Sequence, residues 1–329
     1  MTTLLVMAAA PSSATAIEDG FVTFDEIRRL YGDDRYETAA ALARDGWTTG
    51  SDTIVLTSGE NWPDALAAGP AAGAYGYPIL LTRRDSLPLA TADALRELGA
   101  RSLILIGGPA VIGEGLEQTL RAEYPSVRRV WGQDRYETAA AVARAFPRTW
   151  LIPGFAMEPG QVSVVRGDRY DNALQASLSY GGRLLLVRPN SPLTPGAVDY
   201  LRNETPLNVF WVGAPSALAT AKSGFEALGL PVLSRSFSEP DPFVRSGSNI
   251  VEESPALPVV IVSGENWPDA IAAAPYAARL ESYGLLTRQA CIPAFVWRTL
   301  DIVDPPSITF IGGQNAISQD AFDGWSCVD

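Results

Sequence analysis

One fifteen-residue stretch of this chain recurs in closely similar form a hundred positions later, and that periodicity constrains the fold more than any other feature. Leu30 to Arg44 carries Gly32-Asp33-Asp34-Arg35-Tyr36-Glu37-Thr38-Ala39, and Val130 to Arg144 carries Gly132-Gln133-Asp134-Arg135-Tyr136-Glu137-Thr138-Ala139. A second marker, Ser58-Gly59-Glu60-Asn61-Trp62-Pro63-Asp64-Ala65, returns as Ser263-Gly264-Glu265-Asn266-Trp267-Pro268-Asp269-Ala270. A weaker version lies between them at Arg166-Gly167-Asp168-Arg169-Tyr170-Asp171-Asn172-Ala173. A third, Ile106-Gly107-Gly108, recurs as Val212-Gly213-Ala214 and Ile311-Gly312-Gly313. Markers repeated in a fixed order mean copies of one supersecondary unit. The expected organisation is repeats over residues 27–126, 127–231 and 232–329, the last with a degenerate start, behind a leader-like segment at 1–26. That segment has a short apolar run and an Ala14-Thr15-Ala16 site of the kind signal peptidases cleave, without the usual positive start.

Within each copy, short Val/Ile/Leu runs alternate with Ala/Leu-rich stretches. In the first copy, strands are predicted at Ile79–Thr82 and Leu103–Ile106, with a helix at Thr91–Leu98 between them. Continuous apolar strands joined by helices predict a parallel sheet covered on both faces. Three Rossmann-like α/β lobes follow, and the absence of Pro/Gly/Ser-rich linkers predicts that they pack about a pseudo-threefold axis, a trimer-like arrangement inside one chain.

Composition narrows the function. The formal net charge of −12 argues against a nucleic-acid partner, since binding phosphates rests on Lys and Arg. The chain has no histidine, which removes Ser-His-Asp and Cys-His catalysis and the commonest transition-metal ligand. No metal or cofactor is expected: the Gly-Gly pairs lie in neither a dinucleotide fingerprint nor a P-loop, and a tight turn accounts for them. The two cysteines, Cys291 and Cys327, suit one disulfide in an exported protein. No apolar run approaches the roughly 20 residues of a membrane-spanning helix. Lys222 is the only lysine, so nearly every positive charge is a guanidinium, able to grip a carboxylate or phosphate with two bonds.

Two recurring loops sit where a strand hands over to a helix, the end of a parallel sheet at which ligands generally bind. In one, Asp34 and Asp134 suit helix caps, while Arg35, Tyr36, Arg135 and Tyr136 are candidates either for structural pairing or for ligand contact. In the other, Pro63 and Asp64 suit a first helical turn, and Trp62 with Asn61, or Trp267 with Asn266, could stack on a sugar ring and bond its hydroxyls or pack lobe against lobe. Glu60 with Asp64 could also be read as the carboxylate pair of a wall glycan hydrolase, the alternative to a binding module.

The first-copy markers, with Pro78-Ile79-Leu80-Leu81-Thr82, resemble the type 2 cell-wall-binding repeat of Gram-positive surface proteins over essentially all of residues 27–329. That resemblance implies three Rossmann-like repeats in a pseudo-threefold arrangement. It also implies a non-catalytic module that holds secreted S-layer and other surface proteins noncovalently on an anionic secondary cell-wall polymer. It further implies a polymer groove at the Ile79-Leu80-Leu81 strand, at Leu184 to Leu186 and at Leu285-Leu286, with Arg83, Arg188 and Arg288 at the same offset in the three copies. Copy two lacks Trp-Pro, and copy three has Ser234 to Pro242 where the Asp-Arg-Tyr loop is expected.

Overall fold

The computed structural model describes residues 26–146, 161–179, 182–204, 206–230, 232–238, 241–247 and 255–327, so the leader-like segment lies, apart from Glu26, outside the described residues. The first copy runs β1 (Ile27–Leu30), α1 (Arg35–Gly46), β2 (Thr53–Ser58), α2 (Trp62–Ala74), β3 (Ile79–Thr82), α3 (Leu89–Glu97), β4 (Ser102–Ile106) and α4 (Glu114–Glu123). The second runs β5 (Ser126–Val130), α5 (Arg135–Ala145), β6 (Gln161–Arg166), α6 (Tyr170–Ser179), β7 (Arg183–Val187), α7 (Pro195–Glu204), β8 (Asn208–Val212) and α8 (Pro215–Glu226). The third runs β9 (Leu233–Phe237), α9 (Pro242–Gly247), β10 (Val259–Ser263), α10 (Trp267–Arg279), β11 (Tyr283–Thr287), α11 (Ala294–Val303), β12 (Ile308–Ile311) and α12 (Gln319–Phe322).

These strands form three four-stranded sheets ordered β3-β2-β4-β5, β7-β6-β8-β9 and β11-β10-β12-β1. Every pairing is parallel, as expected from the continuous apolar strands. Sheet membership is offset from the sequence repeats by one strand: the first strand of each copy completes the sheet of the copy before it. Val130 pairs with Ile106, Ser236 with Trp211, and Leu30 with Ile311, so β1 closes the ring onto the last repeat.

Both faces of the sheets are buried except at the edge strands β1, β5 and β9, which keep exposed residues. In β10, Val260 and Val262 join a core shared by the three lobes, while Val259 and Ile261 point into an outer cluster with α11. At the centre, α2, α6 and α10 pack on one another. Their equivalent residues Gly69, Ser177 and Ala274 meet there: a Cβ on Gly69 would lie 3.1 Å from that of Ala274 and 3.7 Å from that of Ser177. Small side chains at these positions allow helix backbones to approach closely. The outer contacts repeat too, with α1 on α10, α5 on α2 and α9 on α6.

Candidate functional site

The recurring loops come together at three seams, where the start of one copy meets the central helix of the preceding one, α10, α2 or α6. At the seam between copies three and one, the Asp34 carboxylate accepts the backbone N–H groups of Tyr36 and Glu37, satisfying donors that a helix start leaves open. The capped helix then holds Arg35, which donates to the carbonyl of Gly59 at 2.5 Å and places its guanidinium 5.4 Å from the ring centre of Trp267. Tyr36 is buried beneath Gly59, and Arg83 lies 5.2 Å over its ring.

The seam between copies one and two repeats this plan. Asp134 caps α5, Arg135 donates to the Gly167 carbonyl at 2.9 Å and lies 5.1 Å over Trp62, and Arg188 lies 4.3 Å over Tyr136 while pairing with Asp134. A guanidinium over an indole face is attracted by the ring quadrupole. The two Asp-Arg-Tyr arginines are therefore used in joining lobes.

At the third seam the structure corrects the expectation that copy three lacks this loop. Asp241 accepts the N–H of Phe243, Phe243 is buried, and Arg288 lies 4.4 Å over its ring. A Cβ on Gly264 would meet Phe243 at 2.7 Å, as one on Gly59 would meet Tyr36 at 2.6 Å. Asp241-Pro242-Phe243 is thus the counterpart of Asp34-Arg35-Tyr36. The only signal in the sequence was an Asp two residues before an aromatic ring, masked by the proline. Pro242 has no guanidinium, and a cleft of about 420 Å³ opens there, lined by Tyr170, Asp171, Gly264, Glu265, Arg288 and their neighbours.

Asp64 and Asp269 sit behind two of the seams. The Thr138 hydroxyl accepts the Gly132 N–H at 3.0 Å and donates to Asp64, which also takes the Gly108 N–H; Thr38 serves Asp269 in the same way. Burial pushes both carboxyls above their ordinary values, against these bonds and the charges of Arg135 and Arg35. At the third seam, where that arginine is replaced by Pro242, the carboxyl is replaced by Asn172. The carboxylate pair Glu60 and Asp64 therefore has structural uses on both sides: Glu60 accepts the N–H of Arg84 at 3.1 Å. Gly107, Gly213 and Gly312 adopt φ of 122°, 127° and 116°, the tight turns expected.

The proposed groove residues divide by burial. Ile79, Leu80 and Leu81, like Leu184 to Leu186 and Leu285-Leu286, are at most 2% exposed, so their side chains belong to the core and offer a ligand no surface. Arg83 is exposed, and the side chains of Arg188 and Arg288 keep 47% and 43% of their surface. Asn61 is exposed and Asn266 partly so, neither capping its helix through its side chain. Trp62 and Trp267 are half-buried against the shared core, Trp62 meeting Tyr170 edge-on at 6.2 Å. Cys291 and Cys327 form the expected disulfide. Among the described residues no helix is long and apolar enough to cross a membrane.

Comparison with known proteins agrees with this three-copy architecture. The chain is 23% identical over 306 residues to the N-acetylmuramoyl-L-alanine amidase LytC of Bacillus subtilis, covering 89% of this chain and 57% of that one. It is 26% identical over 221 residues to the amidase enhancer of the same organism, covering 66% of this chain and 28% of that one. It therefore spans less than two thirds of either relative. Cwp6 and Cwp8 from Clostridium difficile share the fold, with TM-scores of 0.80 and 0.76, 20% identity in each case, and coverage of 95% and 91% of this chain and 50% and 51% of theirs. The family description Cell wall binding domain 2 (CWB2) matches three times, over residues 29–117, 129–223 and 234–322. The chain belongs to this CWB2 family and is a cell-wall binding module of the cell surface built from three repeats.

Proposed function

We propose that this module anchors the protein carrying it noncovalently to an anionic polymer of the wall, with no catalytic step of its own, and that Arg83, Arg188 and Arg288 supply the contacts. The observation that carries this reading is their shared setting. Each guanidinium lies over the ring of its own copy, at 5.2, 4.3 and 4.4 Å, which limits its freedom while the side chain stays partly in water. A planar fork of N–H donors held in this way suits phosphate or carboxylate groups. Three such positions on one rigid ring favour a repeating polymer, because engaging successive units multiplies weak single contacts. The protein's acidity makes these local arginines the points of attraction.

Asn61 and Asn266 stand beside these positions and are assigned the neutral hydroxyls of the polymer. The burial of Asp64 and its bonds to Thr138 and Gly108 support a structural carboxyl over a hydrolytic one. Sedimentation with purified walls, before and after extraction of the anionic polymer, tests the assignment: binding is expected to disappear with the polymer. Turnover of wall glycan by the pure protein, lost in Glu60→Gln, would instead establish a hydrolase.

A further inference from the structure

The third seam keeps the ring and the strand-end glycine that flank an arginine at the other two, with Pro242 in place of that arginine. At the other two, one guanidinium sits between the ring that begins the preceding copy's central helix and a carbonyl at the end of a strand: Arg35 between Trp267 and Gly59, Arg135 between Trp62 and Gly167. The counterparts at the third seam are Tyr170 for the ring and Gly264 for the carbonyl, and both line the 420 Å³ cleft beside Pro242. The wall of the cleft carries Asp168, Asp171, Asp241 and Glu265 against Arg169 and Arg288, and Arg166 pairs with Asp168 from behind it at 2.6 Å, which leaves an excess of one negative charge. Arg169 is occupied by Asp171 at 2.7 Å, and Arg288 lies over Phe243 within 3.7 Å of Asp241 and Glu265.

We propose that this cleft binds a monovalent organic cation, a guanidinium or primary ammonium group, in the place that Arg35 and Arg135 fill at the other seams. Three features specify the class. Tyr170 brings an aromatic ring into the lining, and such a ring favours a weakly hydrated cation. A strand-end carbonyl accepts an N–H donor, as the equivalent Gly59 and Gly167 carbonyls do from Arg35 and Arg135. Among the described residues, no group of three His, Cys, Asp or Glu is placed to hold a metal ion. Since family membership places the chain on the wall, amine-bearing units of wall material are one source of such a group, and free amino-acid-like solutes are another.

The test uses the whole chain with methylguanidinium and ethylammonium as probes, followed by NMR titration of the Tyr170 ring signals. Saturable shifts are expected, and Pro242→Arg, which returns the missing side chain to the seam, should weaken probe binding at least about ten-fold. If that variant does not fold, Glu265→Gln replaces it, because Glu265 is exposed and its bond to the Gln289 N–H can be kept by the amide oxygen; a loss of about three- to ten-fold is expected. Soluble wall fragments that compete for the probe until their amines are acetylated would identify the wall as the source, whereas competition by argininamide alone would point to a solute. Absence of saturable shifts, equal affinity in both variants, or displacement of the probe by millimolar Ca²⁺ or Mg²⁺ would overturn the proposal. None of these outcomes depends on wall retention, so failure here leaves the anionic-polymer assignment to its own test.

Discussion

The Tyr276 hydroxyl of the last repeat donates to the Asp45 carboxylate of the first, and Arg28 binds both, reaching Asp45 with two bonds of 2.9 Å and the Tyr276 oxygen at 2.6 Å. This network lies where β1 closes the ring, so it joins residues more than two hundred positions apart. Burial first, and then Asp45, push the Tyr276 hydroxyl far above its ordinary value. A group whose folded value is raised stabilises fully below its unfolded value, here 10.0, and that contribution is lost as pH rises further. Tyr276→Phe should cost about 1.5 to 3 kcal/mol at neutral pH. Denaturant titrations should also show a shallower loss of stability above pH 10 in this variant than in the parent; an unchanged slope would remove Tyr276 from the account.

Asp64 and Asp269 should tolerate the amide that position 172 already carries. Their raised folded values mean that protonation favours the fold below the unfolded value of 3.8, and this advantage is lost as pH rises through the folded value. Asp64→Asn should therefore gain relative to the parent between pH 4 and pH 7. Asp64→Leu leaves the Thr138 hydroxyl and Gly108 N–H without an acceptor and should cost about 1 to 3 kcal/mol. Thermal melts of both variants across that range check the ordering.

The central helix contact should resist enlargement. Gly73 faces Ala278, whose Cβ would stand 3.0 Å from a Cβ added there, with the Pro275 backbone at 3.3 Å. Gly73→Leu forces α2 and α10 apart and should destabilise by about 1 to 3 kcal/mol or more, despite the better helix propensity of leucine. Gly115→Leu, with nothing within 4 Å of the added atom, is the control and should not lose stability.

Wall attachment should weaken stepwise as Arg83, Arg188 and Arg288 are changed to Gln, and rising salt should weaken it in the parent as well. Arg188 pairs with the helix cap Asp134, so melting temperatures must be followed alongside. A triple variant that stays folded and binds walls as tightly as the parent would exclude these arginines from the contact.

Replacing Cys291 and Cys327 by serine should cost about 3 to 4 kcal/mol for a crosslink closing a loop of 36 residues, in the chain-entropy account. The bridge ties the turn after α12 to the Ile292 segment, where the two backbones exchange hydrogen bonds of 2.8 and 2.9 Å. Proteolysis near Trp325 should therefore be the earliest sign of the loss.

Local patterns in the sequence were enough to determine the number of copies, the parallel α/β class, the Asp34 and Asp134 caps and the disulfide. Each of these depends on neighbours in the chain, on a repeated order of markers, or on there being only two cysteines. Tertiary structure decided the rest. The pairing of β1 with β12, the meeting of Arg35 with Trp267, and the equivalence of Asp241-Pro242-Phe243 to the Asp-Arg-Tyr loop join segments that nothing local connects. Burial separated Ile79, Leu80 and Leu81 from Arg83, adjacent in sequence but divided by the end of a strand. The physical reason is that caps and strand periods arise from bonds within a few residues, whereas exposure and partner choice are set by how three sheets and their central helices share one core.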